Sequence, residues 1–102
     1  MGRRLKLHEE LCEILESRNV YFQPPASVKM KYPCIRYSFG APDLKRANNR
    51  IYKNTTRYEV IVIDEDPESE IPNKLLDRYE MVNIDRRYIA DNLNHTVLTL
   101  YY

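Results

Sequence analysis

Glycine is nearly absent from this chain: two in 102 residues, at Gly2 and Gly40. Nucleotide-binding folds cradle phosphate on glycine-rich turns, so both the Rossmann fingerprint and the P-loop are excluded. Tryptophan is missing altogether, and histidine occurs only at His8 and His95. No apolar run approaches the ~18–20 residues that span a bilayer, so no membrane contact is expected. The start, Met1-Gly2-Arg3-Arg4-Leu5-Lys6, is basic, but Glu9 and Glu10 follow where a secretion signal needs its apolar stretch. The chain is therefore expected to be made and kept in the cytosol. Two cysteines, Cys12 and Cys34, could in principle pair, but a reducing compartment argues against it. Each sits in an apolar pattern, so both are expected to be reduced and buried.

Catalytic constellations are equally scarce. His8-Glu9-Glu10-Leu11-Cys12 puts two potential zinc ligands one helical turn apart, in the manner of HExxH. Its second ligand is Cys rather than His, and the only other histidine lies in a turn. His8 reads instead as a solvated helix-face residue, and neither metal nor cofactor is expected. No Ser/His/Asp or Cys/His spacing marks a nucleophile. An enzyme is the least favoured class.

What is present describes an ordinary soluble domain. Hydrophobic residues make up 43% and charged residues 30%, and a chain this long supports one compact core and not two. Nine tyrosines are the one compositional oddity. Leu7, Leu11, Ile14 and Leu15 recur at helical spacing and predict an amphipathic helix over residues 4–17. Val20-Tyr21-Phe22 is a short extended run stopped by Pro24-Pro25. After a connector, Cys34 to Phe39 alternates as a half-buried strand. Residues 40–55 read as a long loop, with short strand pairing near Ile51-Tyr52. Arg57 to Asp64 carries four consecutive β-branched apolar residues, which predicts a central strand covered on both faces. Asp66-Pro67 supplies a helix-start signal, and Ile71, Leu75, Leu76 and Tyr79 give a second helical stripe with Pro72 in its first turn. Met81 to Ile89 reads as a strand, Asp91 to Asn94 as a turn, and Thr96 to Tyr102 as a closing strand. Alternation sends Tyr101 and Tyr102 to opposite faces, one to the core and one to an interface. The expected fold is α+β, with two helices packed on a mixed, mostly antiparallel sheet. Its order is α-β-β-β-α-β-β, in one domain over 1–102 with one long basic loop.

Charge is unevenly distributed. Residues 1–63 carry 12 Lys/Arg against 6 Asp/Glu, a net +6; residues 64–102 carry 4 against 9, a net −5. A basic loop holds Lys45, Arg46, Arg50, Lys53 and Arg57. An acidic corner holds Asp64, Glu65, Asp66, Glu68 and Glu70. The bland reading is solvated surface, with the acids favouring a helix N-terminus. The sharper one is complementarity between copies: the basic loop of one subunit meets the acidic corner of the next, or the loop faces the lumen of a ring. Such a contact is heterologous and closes into a ring when its rotation allows. A third reading, nucleic-acid binding by the loop, lacks stacking platforms, and a pI of about 7.7 is far from a dedicated binder's.

Several stretches resemble the tail terminator or tail completion proteins of long-tailed double-stranded DNA phages, also called head–tail joining or minor capsid proteins. The carrying segments are Arg18 to Pro25, Ser27 to Ile35, Tyr58 to Asp64 with Asp66-Pro67, Ile71-Pro72, and Ile89 to His95 leading into Leu98 to Tyr102. The resemblance implies a virion structural protein at the head-proximal end of the tail, assembled in the host cytoplasm. Its implied form is a homo-oligomeric ring, a hexamer, that caps the tail tube, ends polymerisation and presents a surface to the head connector or adaptor. Tail tube protein and connector are the implied partners, with incidental contact to DNA in the lumen. The alternatives are a head-completion protein binding the portal or adaptor ring and, more distantly, a small nucleic-acid-binding regulator.

Overall fold

A computed structural model describes residues 2–40 and 55–102. Along the chain run α1 (Arg3–Leu15), β1 (Val20–Phe22), β2 (Cys34–Phe39), β3 (Arg57–Asp64), α2 (Ile71–Arg78), β4 (Val82–Ala90) and β5 (Leu93–Tyr101). The strands form one sheet in the lateral order β1-β2-β3-β5-β4. Only β1 and β2 are parallel; the other three pairs are antiparallel. This is the expected α+β class and the expected order along the chain.

Lateral order departs from chain order because β5, not β4, pairs with β3. Residues Thr96 to Leu100 of β5 are all buried, whereas β4 presents Asp85, Arg86 and Arg87 to solvent. Charges of that kind belong on an edge strand, and a bulge between Ile84 and Arg86 further interrupts that edge. Asp85 at the bulge accepts hydrogen bonds from Asn83 Nδ2 (2.6 Å) and Thr99 Oγ1 (2.5 Å). Central placement of β3 agrees with its apolar run.

Both helices pack on one face of the sheet. Leu7, Leu11 and Leu15 of α1 and Leu75 of α2 meet Tyr37, Val60, Val62, Leu98 and Leu100 there. The register gathers Cys34, Ile63 and Val97 on the opposite face, and all three are buried. Both cysteines are unpaired and buried, as expected from their settings.

Boundaries shift for local reasons. Helix α1 stops at Leu15 rather than residue 17 because Glu16 adopts left-handed geometry (φ 59°). The Glu16 and Ser17 amides then return to the Glu13 and Cys12 carbonyls. Helix α2 begins at Ile71, not at Pro67. Asp66 instead caps a tight turn, its Oδ1 accepting from the Glu68 amide at 2.8 Å. Leu76 lies on the outer side of α2, 36% exposed, and does not belong to the core stripe. The expected four-residue turn contracts to Asp91-Asn92, both at positive φ (53° and 63°), which is a type I′ hairpin turn. Leu93 and Asn94 therefore join β5. Among the described residues no helix is long and apolar enough to cross a membrane.

Candidate interaction surfaces

Strand β3 links Arg57, the one basic-loop residue within the described chain, to the acidic corner. Arg57 starts it and Asp64 ends it, about 23 Å apart at roughly 3.3 Å per residue. Of the basic loop, only Arg57 falls in the described chain; Lys45, Arg46, Arg50 and Lys53, and the pairing expected near Ile51-Tyr52, lie outside the described residues. At the Arg57 end the Gly40 amide donates to the Arg57 carbonyl at 2.8 Å. A Cβ on Gly40 would stand 2.9 Å from Arg57 Cγ, so this close approach requires glycine.

The first turn of α1 arrives at the same end. Arg4 donates to the Tyr37 hydroxyl (3.3 Å) and its guanidinium lies 4.3 Å from the centre of the Phe22 ring. Burial raises the Tyr58 phenol, and the charges of Arg4 and Arg3 pull it back down. Arg3 and Lys6 share a shallow groove with Tyr79 and Tyr102, and Tyr102 exchanges backbone hydrogen bonds of 3.0 Å with Thr56. Arg3, Arg4 and Lys6 thus extend the basic end. Their basic character is plain in the sequence, but their shared end with Arg57 is not. A signal was there: cations in a helix's first turn oppose the macrodipole by ~0.3–1 kcal/mol each, and Gly2 supplies no side-chain cap.

At the far end, the acidic corner is held in shape by its own backbone. Asp64 Oδ1 accepts from the Asp66 amide (3.0 Å), and Asn94 Nδ2 donates to the Asp64 and Glu65 carbonyls (3.3 and 3.2 Å). Glu65, Asp66, Glu68 and Glu70 are exposed and Asp64 is half-buried. The ion pairs Arg18–Glu9, Lys74–Glu16 and Arg78–Glu10 draw on none of these five acids.

Between this corner and the β4–β5 hairpin lies a cleft of about 760 Å³. Asp66, Pro67, Glu68 and Pro72 form one wall, Arg87 and Ile89 the other, and Val62 and Thr96 line it between them. Ile89 is 74% exposed, the most exposed large apolar side chain among the described residues. Neither the cleft nor Ile89's part in it was foreseen, because both depend on α2 being too short to cover the hairpin.

Two polar clusters are structural. Glu10 accepts from Tyr79 (3.0 Å) and Tyr102 (2.6 Å) and lies 3.5 Å from Arg78. Burial, then the bond to Glu10, pushes the Tyr102 phenol up to about 12. Tyr102 thus takes the core side, and Tyr101 pairs opposite Arg57 on the other face. His8 is not a freely solvated surface group: its Nδ1 lies in hydrogen-bond contact with the Tyr37 hydroxyl at 2.7 Å. Cys12, its partner in the HExxC pattern, is in the core. Among the described residues no group of three or more His, Cys, Asp or Glu is placed to hold a metal ion. Compared with known proteins, the chain significantly matches no family model, no curated protein and no solved structure.

Proposed function

We propose that the protein is a non-enzymatic structural component of a long-tailed phage virion. In this reading it caps the tail tube as a homo-oligomeric ring, a hexamer, ends tail polymerisation and offers a surface for joining to the head. The observation that carries the reading is the separation, among the described residues, of Arg3, Arg4, Lys6 and Arg57 from the acids Asp64 to Glu70 along β3. The described ends, Arg57 with Arg3, Arg4 and Lys6 at one and the acidic corner at the other, stand about 23 Å apart along β3 and complement each other between copies. That contact joins two different surfaces, so it is heterologous, and it closes into a ring when successive rotations add to a full turn. The resemblance to tail terminators supplies the setting, with the tail tube protein and the head connector as partners.

The test is sedimentation of the wild type and of Lys45→Glu/Arg46→Glu, alone and with assembled tail tubes. Wild type is expected to form a ring and bind tube ends; the reversal is expected to weaken association while circular dichroism stays unchanged. Each exposed pair contributes only about 0–1 kcal/mol, but the contact recurs at every interface of a ring. A wild type that binds isolated portal or adaptor rings and ignores tubes would favour the head-completion role. One that stays monomeric with tubes present would end the ring reading.

A further inference from the structure

We infer that the first turn of α1 in one copy seats in the cleft between the acidic corner and the β4–β5 hairpin of the next, with Ile89 as the apolar anchor. The inference rests on the ring reading above and names the contact that builds it. Three observations point to a second copy as the occupant. The cleft pairs carboxylates on one wall, Asp66 and Glu68, with an exposed apolar side chain, Ile89, on the other. The first turn of α1 carries exposed counterparts: Arg3 and Lys6, neighbours on one side of the turn, and Leu5, 42% exposed, about 100° around the helix from Lys6. A helix that docks in a groove places apolar side chains against apolar lining, and complementary charge at the rim sets its orientation.

The second observation is energetic. Arg3 and Lys6 begin a helix without a side-chain cap, where the macrodipole disfavours cations. Carboxylates of a neighbour facing that turn would offset the conflict, and a local conflict of this kind is expected at an interaction surface. Arg87 on the hairpin wall then fixes the orientation, since it repels the basic flank towards the acidic wall. The third observation is placement. Cleft and α1 start lie at opposite ends of the molecule, so one copy cannot satisfy itself. Duplex DNA is the rival for the basic turn, but it offers nothing to Ile89 and is repelled by the acidic wall.

Four variants test the contact by sedimentation, with circular dichroism as a fold control: Ile89→Glu, Leu5→Glu, Arg3→Glu/Lys6→Glu and Asp66→Lys/Glu68→Lys. The altered apolar and basic side chains are exposed, so native folding is expected. Each variant alone should associate at least tenfold more weakly than wild type. Mixing the two charge reversals should restore assembly, because the acidic helix start of one then faces the basic cleft of the other at alternate interfaces. Wild-type association by Ile89→Glu and Arg3→Glu/Lys6→Glu, or no recovery on mixing, overturns this contact. If those variants still cap tail tubes, the ring reading stands and only the contact falls. A wild type that neither associates nor caps tubes ends both. Loss of duplex DNA binding in Arg3→Glu/Lys6→Glu with assembly intact would assign the turn to nucleic acid and overturn the inference.

Discussion

The imidazole of His8 shares a hydrogen bond with the Tyr37 hydroxyl, and burial, together with the nearby Arg4 and Arg18, draws its pKa below the ordinary 6.5. The unfolded chain therefore takes up this proton at a higher pH than the folded chain does. Its contribution to stability is complete above 6.5 and is lost as pH falls through the lower folded value. The urea midpoint of wild type should fall between pH 7.5 and pH 5 more steeply than that of His8→Gln; parallel profiles would remove His8 from the account. The two thiols make a second prediction at this scale. Burial raises Cys12 and pushes Cys34 up to about 11, and both are buried. Native protein at pH 8 should label slowly with a thiol reagent and denatured protein at once. The cysteines' burial was legible because Cys12 falls on the apolar stripe of a helix and Cys34 at the head of a strand. His8's partner was not, since Tyr37 is 29 positions away and only the packing of α1 on β2 brings it within reach.

Elements were read best where one periodicity ran unopposed. Leu7, Leu11 and Leu15 announce α1, and Val60 to Ile63 announces a central β3. Limits were read worst where a single backbone angle decides, as at Glu16 or in the Asp91-Asn92 turn. That turn yields a prediction: a β-branched side chain tolerates φ near 63° poorly, so Asn92→Val should cost about 1–2 kcal/mol, measured by urea unfolding. A second concerns the joint between helices. Glu10 on α1 holds Tyr79 at the end of α2 and Tyr102 just past β5. Removing one hydroxyl (Tyr79→Phe or Tyr102→Phe) should cost about 1–2 kcal/mol. Because the two share one carboxylate, the double variant should depart from additivity. Simple addition of the two losses would show that Glu10 does not couple them.

For the whole molecule, the charge split was visible in the sequence but its geometry was not. Lys and Arg counts place a positive excess before residue 64, yet nothing in a linear reading says that Arg3 and Arg57 share an end of the molecule. The sheet decides this, because α1 begins beside the strand end where β3 starts. Likewise Ile89 reads as one more alternating residue of a strand, and only the shortness of α2 leaves it bare. Salt supplies the corresponding prediction. Raising it from 0.1 to 1 M shortens the Debye length from about 10 to about 3 Å, so ring association in sedimentation should weaken. Association that strengthens with salt would point instead to an interface held by apolar contact alone.

The lateral order of the sheet carries a further consequence, for synthesis. Strand β5, the last of the elements along the chain, lies between β3 and β4. While the chain is still emerging from the ribosome, the edge of β3 that β5 will occupy is bare, along with the apolar side chains of Val60 and Val62. Neither β4 nor α2 can substitute, since β4 reaches the sheet only through β5. The nascent chain therefore has no stable folding stopping point before residues 93–101 appear. Until then it presents an unpaired edge of the kind that chaperones bind and neighbouring nascent chains pair with.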